Sequence, residues 1–438
     1  MSKFLLNRFK NSTNFGALLS NGLLAGMRLL NFTLLARSTS KTDFGIWIIY
    51  LTTVNFVEMV RFGLLRTAYV KYTSGLEKVD RDPIEGSSWI LAILFSGIVF
   101  LACLILFWLP LEASEGFQYF FYYYPLYSLV ILPFHYATFR FQTYRKFFHI
   151  FRITLVQTGL WAILLLYHYF QPQSIQWLIR AHLAASFLSG LVALLGGWSN
   201  LLAIKKAEFQ WIKRLLGFGK FSIGTLIGSN LLKSADTYLI NYFLGPAATA
   251  LYNIPLRLTE MLEIPLRALA QTALPKISKA ANQNSKTEVS QLFAQYTTFA
   301  SIIYFPMLLL AFLLAPWLVE FVGGTAYRET YPIFRIFLVA AIFLPLDRFT
   351  GITLDAVNLP QINLKKVVLM ALCNVIGDVL ILLFLPQLNW VAVVTINTLF
   401  IGMLYGIHQL RALKIIDRQH LFHFWFKYSQ RIKSLKNG

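Results

Sequence analysis

Charge is scarce in this 438-residue chain: Asp, Glu, Lys and Arg make up 13% of it, against roughly a quarter in a soluble domain. Apolar residues reach 57% and the mean hydropathy is +0.59, which excludes a water-soluble globular protein. Cysteine is nearly absent. Cys103 and Cys373 both lie inside apolar stretches, so a disulfide framework or a thiolate metal site is excluded and each reads as a small core residue. No HExxH, Walker lysine loop or GxSxG elbow occurs. His135, His149, His168 and His182 fall on different apolar runs or their borders and read as interfacial or structural. A non-enzyme is expected, with no catalytic residues, no metal and no cofactor.

What is present is a succession of apolar runs, each long enough to cross about 30 Å of hydrocarbon at about 1.5 Å per residue. They lie near 13–36, 44–65, 88–110, 117–139, 150–170, 175–202, 218–244, 249–274, 291–318, 331–354, 367–385 and 390–413. The expectation is an all-α integral membrane protein of about twelve transmembrane helices. The polar stretch with Lys205, Lys206, Glu208, Lys213 and Arg214 divides it. The expected domains are an N-lobe over 1–204, a cytoplasmic linker over 205–217, a C-lobe over 218–413 and a basic cytoplasmic tail over 414–438. Lys3, Arg8 and Lys10 precede the first run without a small-residue cleavage site, so that helix reads as an uncleaved anchor.

Bases outnumber acids, 39 to 19, for a formal charge of +20. A nucleic-acid binder gathers such charge on one solvated face; here it sits mostly in short loops, and nucleic acid is not an expected partner. Alternate loops carry it. One set holds Lys3, Arg8 and Lys10; Arg66, Lys71, Lys78 and Arg81; Arg140, Arg145, Lys146 and Arg152; Lys205, Lys206, Lys213, Arg214 and Lys220; Lys276, Lys279 and Lys286; Lys365 and Lys366; and the bases from Arg411 to Lys436. The other set holds only Arg37, Lys41 and Arg328, and the loop around Glu112 and Glu115 has none. By the positive-inside rule both termini are cytoplasmic. Trp47, Trp89, Trp108, Trp177, Trp317 and Trp390 read as interfacial anchors, and the run Phe120 to Tyr124 as an interfacial girdle.

The halves resemble each other at an offset of 205 residues, which lays Leu64–Lys71 over Leu269–Lys276, Glu58 over Glu263 and Arg28 over Lys233. Six runs separate equivalents, so the repeats run parallel. Two six-helix lobes would then enclose a central cavity.

Charges inside the runs mark function, because each central one costs at least about 2.5 kcal/mol to insert. The bases are Arg28, Arg61, Arg180, Lys233, Arg257, Arg267, Arg335 and Arg348; the acids are Glu58, Asp236, Glu260, Glu263, Asp347 and Asp378. Helical spacing allows local pairs Glu58–Arg61, Lys233–Asp236, Arg257–Glu260 and Glu263–Arg267. Arg180, Arg335 and Arg348 lie nearer helix ends and can snorkel. Arg28 has no acid three or four positions away. Opposed across a cavity, Arg28 and Lys233 would suit a pyrophosphate, and the candidate anion-binding set is Arg28, Lys233, Arg61, Arg257 and Arg267. Glu58, Asp236, Glu263 and Asp378 are candidates for coupling to H+ or Na+. Pro125, Pro133, Pro255, Pro265, Pro306 and Pro345 can kink their helices.

The stretch Leu34-Leu35-Ala36-Arg37-Ser38-Thr39-Ser40-Lys41-Thr42-Asp43-Phe44-Gly45-Ile46-Trp47 resembles the start of polysaccharide-transporter proteins. So do Ala235–Ile240, Leu244-Gly245-Pro246, Ala250-Leu251-Tyr252 and Ala273-Leu274-Pro275. These are the O-antigen and capsule-unit flippases of the multidrug, oligosaccharidyl-lipid and polysaccharide exporter (MOP) superfamily. The resemblance implies two bundles arranged as a V in the bacterial inner membrane. It implies alternating access and flipping of an undecaprenyl-diphosphate-linked oligosaccharide for O-antigen, lipopolysaccharide, capsule or exopolysaccharide assembly. Membrane lipid and the lipid-linked oligosaccharide are the implied partners, with a polysaccharide polymerase and chain-length machinery beside them. Two rivals remain open. An ion-coupled multidrug exporter, an antiporter of the same superfamily, commonly carries a first-helix carboxylate, which Arg28 replaces here. A membrane-embedded oligosaccharide polymerase or ligase generally needs a longer outward loop than any present.

Overall fold

The computed structural model describes residues 13–74, 76–109, 114–144 and 146–416. The terminal bases Lys3, Arg8 and Lys10, the loop residue Glu112, Arg145 and the tail bases from Arg418 onward lie outside these residues. The chain forms two compact units, 1–227 and 228–438. Every described regular element is helical.

Unit 1 begins with α1 (Thr13–Ser38), α2 (Lys41–Thr73), α3 (Lys78–Trp108), α4 (Glu115–Val130) and α5 (Leu132–Thr143). It continues through α6 (Phe147–Phe170), α7 (Ile175–Leu195) and a 3-10 segment (Leu201–Lys206) into α8 (Phe209–Leu262). The break between α1 and α2 is written into Ser40, whose hydroxyl accepts the Asp43 amide at 3.0 Å and reaches the Asp43 carboxylate at 2.8 Å. This local exchange satisfies an orphan donor of the new helix. Pro133 separates α4 from α5: it sits in the first turn of α5, where a missing N–H costs nothing.

Unit 2 takes the end of α8, then α9 (Ile264–Asn282), α10 (Lys286–Leu313), α11 (Ala315–Gly323), a 3-10 segment (Thr325–Thr330), α12 (Tyr331–Ala341), α13 (Leu344–Ala356), α14 (Pro360–Phe384) and α15 (Leu388–Ala412). α8 is two helices joined at Gly245, with φ 81 and ψ 179, a conformation open to glycine alone. Pro246 then starts the second helix. The break is a reversal. Tyr252 hydrogen-bonds Asp236, 16 residues earlier, at 2.6 Å, whereas an unbroken helix would hold them about 24 Å apart. Pro265 and Pro345 likewise open new helices, while Pro125, Pro255 and Pro306 stay inside theirs.

Among the described residues seven helices, α2, α3, α6, α7, α10, α14 and α15, are long and apolar enough to cross a membrane, and the pair over 325–356, bent by 44°, makes up to eight. The protein is thus an all-helical, multi-span membrane protein. Within unit 1 the helices pack as membrane helices do, with small residues letting backbones meet. Gly86 lies against the Ala203 carbonyl, and Gly190 against that of Val130.

Two sequence readings are overturned by this packing. Trp47 and Trp89 do not form an interfacial belt but lie in the interior of unit 1, 3% and 2% exposed. Trp47 stacks on Trp161, and Trp89 stacks on Tyr136 while donating to the Ser199 carbonyl at 3.2 Å. In the supposed girdle, Phe120, Tyr123 and Tyr124 are buried and Tyr122 is exposed, because a helix turns successive side chains to different faces. Trp108, Trp317 and Trp390 are exposed.

Candidate functional site

In unit 1 the acid of α2 is the centre of a buried network. Glu58 and Arg61, one turn apart, pair at 3.1 Å. Tyr124 of α4 donates to Glu58 Oε1 at 2.6 Å, and His135 Nε2 of α5 stands 3.1 Å from Oε2. Arg61 is almost wholly buried and its guanidinium lies over the Phe62 ring. Three helices therefore converge on one carboxylate, and the ion pair neutralises itself in place. Tyr124 and His135 were not among the sequence candidates; both sit in apolar or aromatic runs that gave no charge signal. Arg28, on α1, is exposed, and nearby Asn31 ties that helix to α6 through the Thr158 carbonyl at 3.1 Å.

A second buried network closes the other end of unit 1. Glu85 receives Arg81 at 2.9 Å, Arg140 at 3.4 Å, the Tyr69 hydroxyl at 2.8 Å and the Asn200 amide. Asp82 receives Lys206 at 2.7 Å. Arg140 also donates to the Gly197 and Trp198 carbonyls. Arg81 and Arg140 are therefore not free loop bases. Lys206 and Asn200 strap the 3-10 segment onto α3, where Ser87 and Glu208 exchange two further bonds of 2.9 Å.

In unit 2 the acids separate from the bases. Asp236 accepts from Tyr252 and from Asn374. Asn374 also donates to Asp378 at 3.0 Å, and Thr398 donates to Asn374 Oδ1 at 3.1 Å. The Asp236 and Asp378 carboxyl groups thus share the Asn374 amide. Among the described residues no Lys or Arg pairs with either, and Asp378 Oδ1 is buried without a hydrogen-bond partner. The expected pair Lys233–Asp236 does not form: Lys233 is exposed, while Asp236 turns into the interior.

The bases gather elsewhere. Arg257 pairs with Glu260 at 2.7 Å, and Arg267 reaches Glu263 at 3.6 Å and the Glu260 carbonyl at 2.9 Å. Lys233 and Arg348 are exposed. The side chains of Arg257 and Arg267 remain 39% and 43% exposed. Unit 2 thus leaves Lys233, Arg257, Arg267 and Arg348 accessible against the partners Glu260 and Glu263, an excess of positive charge. Asp347 instead pairs with Lys366 at 2.8 Å. Lys366, read as a loop base, is buried. Arg335 donates to the Phe312 carbonyl and lies over two aromatic rings instead of snorkelling free, and Arg180 donates to the Tyr123 hydroxyl.

Comparison with known proteins places this arrangement. Residues 34–332 match the polysaccharide biosynthesis protein family. The chain is 22% identical over 249 residues to the "Probable low-salt glycan biosynthesis flippase Agl15" of Haloferax volcanii, a match covering 56% of this chain and 52% of Agl15. The chain thus spans about half the length of that relative. Among solved structures it is similar to an inward-facing MATE-family multidrug resistance transporter, with TM-score 0.72, 12% identity and coverage of 89% and 94% of the two chains. It is also similar to the lipid II flippase MurJ in an inward closed conformation, with TM-score 0.71, 14% identity and coverage of 93% and 89%. A MOP superfamily transporter from Pyrococcus furiosus, whose description notes a binding pocket of reverse polarity, shares the fold with TM-score 0.61, 14% identity and coverage of 93% and 98%. The chain therefore belongs to the polysaccharide biosynthesis protein family and shares the fold of the MOP-superfamily transporters it resembles.

Proposed function

We propose that this protein flips an undecaprenyl-diphosphate-linked oligosaccharide repeat unit across the bacterial inner membrane, by alternating access of two six-helix lobes around a central cavity. The product would feed O-antigen, capsule or exopolysaccharide assembly. The observation that carries the reading is the sorting of charge: Arg28, Lys233, Arg257 and Arg267 stay accessible, whereas Asp236 and Asp378 are buried. A base exposed on a membrane helix has to face water or an anion, and guanidinium groups suit phosphate oxygens. A cationic drug would meet repulsion from the same surface. The name of the Haloferax relative and the family match point the same way. The break at Ser40 recurs 205 residues on at Gly245, which supports parallel six-helix repeats divided near the 205–217 stretch. Both termini then lie in the cytoplasm.

Coupling would reside in unit 2. Asp236, Asp378, Asn374 and Thr398 offer buried oxygens suited to a proton or Na+, and the unpartnered Asp378 oxygen fits such an occupant. A bound cation would supply the missing positive charge between the two carboxylates.

Deleting the gene and extracting lipid-linked intermediates tests the reading. Complete repeat units held on the cytoplasmic leaflet, with surface polymer lost and restored by complementation, are expected. Intact polymer with new drug sensitivity would make the protein a multidrug exporter instead, and unpolymerised units on the outer leaflet would make it a polymerase.

A further inference from the structure

One cavity of about 720 Å³ lies wholly within unit 1, between α2 and α5. Its α2 wall is a helical stripe in which Glu58, Phe62 and Arg66 recur every four residues, with Thr67 and Lys71, four apart, beside it. Its α5 wall carries His135, Phe139 and Gln142 at spacings of four and three, which keep them on one helix face. The two ends differ. At one end Glu58 is neutralised by Arg61 and flanked by His135, whose Nε2 stands 3.1 Å from Oε2. At the other end Arg66 and Lys71 are exposed, and the Gln142 side-chain oxygen accepts Arg66 Nε at 2.9 Å, which fixes the guanidinium plane. Between them Phe62 and Phe139 form an aromatic wall, their rings 5.7 Å apart.

This is an ordered succession of chemistries: two cations, an aromatic surface, then a polar pair. Clefts of roughly 300–1,000 Å³ hold small ligands, so the cavity suits one end of a lipid-linked oligosaccharide and not the whole. We propose that it binds the diphosphate–sugar junction of the cargo, with phosphate oxygens on Arg66 and Lys71 and the first sugar ring against Phe62 and Phe139. His135 and Glu58 then take the hydroxyls. The assignment rests on the flippase reading above. It gives Arg66 and Lys71, which the sequence offered only as loop bases, and Gln142 a direct part in recognition. Sugar faces stack on aromatic rings while phosphates select bidentate guanidinium, and this cleft presents both side by side.

The test uses the purified full-length protein in detergent and a short-chain polyprenyl diphosphate carrying one hexose. Wild-type protein is expected to bind it, with competition by inorganic diphosphate and none by free hexose or phosphatidylglycerol. Arg66→Ala and Lys71→Ala should each weaken binding at least tenfold, and Arg66→Lys less. A Thr67→Cys reporter, on the lining and with Cys103 and Cys373 replaced by Ser, reads the same site without removing charge. The probe should protect it from a soluble maleimide. Unchanged affinity in both alanine variants, or no protection of Cys at 67, overturns the assignment while leaving the flippase reading intact. Equal competition by phosphatidylglycerol makes the cleft a phospholipid site and also overturns it. A wild-type protein that binds no probe overturns the flippase reading itself.

Discussion

The Tyr124 hydroxyl stands 2.6 Å from Glu58 Oε1, 66 residues away along the chain. That bond joins α4 to the one acid of α2 that already holds Arg61, so the tyrosine completes a buried ion pair and adds no charge. Removing a hydrogen bond to a buried charged group costs roughly 1–3 kcal/mol. Tyr124→Phe should therefore lower the unfolding temperature of the purified protein modestly. Glu58→Ala should lower it more, at a stability cost of about 3–5 kcal/mol, because Arg61 would be left buried without its partner. Equal effects of the two substitutions would show that Arg61 finds other compensation.

Glu85 and Lys206 belong to the same strap but differ in burial: the Glu85 side chain is 1% exposed and that of Lys206 58%. Glu85→Ala strands Arg81 and Arg140 and should cost about 3–5 kcal/mol, seen as a collapse in membrane abundance. Lys206→Ala should cost at most about 1 kcal/mol and leave abundance near normal. A Lys206→Ala collapse would contradict this ranking.

Gly86→Ala places a methyl group into the Ala203 carbonyl. Backbone cannot rotate away as a side chain can, so the strap must shift or the helix must. Loss of folded protein on size exclusion is expected, with Gly97→Ala, whose added carbon meets nothing, as the tolerated control.

Arg28→Ala and Lys233→Ala should each impair flipping in reconstituted vesicles while abundance stays near normal, since both side chains are exposed. Arg28→Lys should retain more activity than Ala. Falling abundance would mark these bases as structural.

Asp378→Asn should remove the response of flipping to imposed proton and sodium gradients while preserving binding of the cargo. Gradient-dependent flipping in that variant, or wild-type flipping indifferent to both gradients, would place coupling outside the Asp236–Asp378 pair.

Much of the helical layout was legible because a membrane helix announces itself by length and apolarity, and because Ser40 and Gly245 break helices by local stereochemistry; Pro133, expected only to kink the run 117–139, instead divides it into α4 and α5. The contacts Glu58–Arg61, Arg257–Glu260 and Glu263–Arg267 could be read from spacing, one turn being their whole geometry. Lys233 and Asp236 have the same spacing and part company. The aspartate finds Tyr252 across a chain reversal and Asn374, 138 residues away, and nothing in a single sequence encodes that proximity. One signal was available: Asn374 precedes Asp378 by four residues on an otherwise apolar helix, which puts an amide and a carboxylate on one face. The tryptophans misled because the belt rule describes where indoles collect on average. Trp47 and Trp89 are instead spacers between helices whose partners, Trp161 and Tyr136, lie far along the chain.

The two units dress their buried acids differently. Glu58 carries its own counter-ion, supplied by the same helix, and is electrically closed. Asp236 and Asp378 share the Asn374 amide, Asp236 also takes a tyrosine, and among the described residues no base pairs with either, so under the proposed coupling an ion that arrives and leaves completes their balance. A scaffold of two comparable halves thus holds one insulated circuit and one open terminal. Transplanting an arginine beside Asp378 would close that terminal and turn a rechargeable half into a second permanent strut.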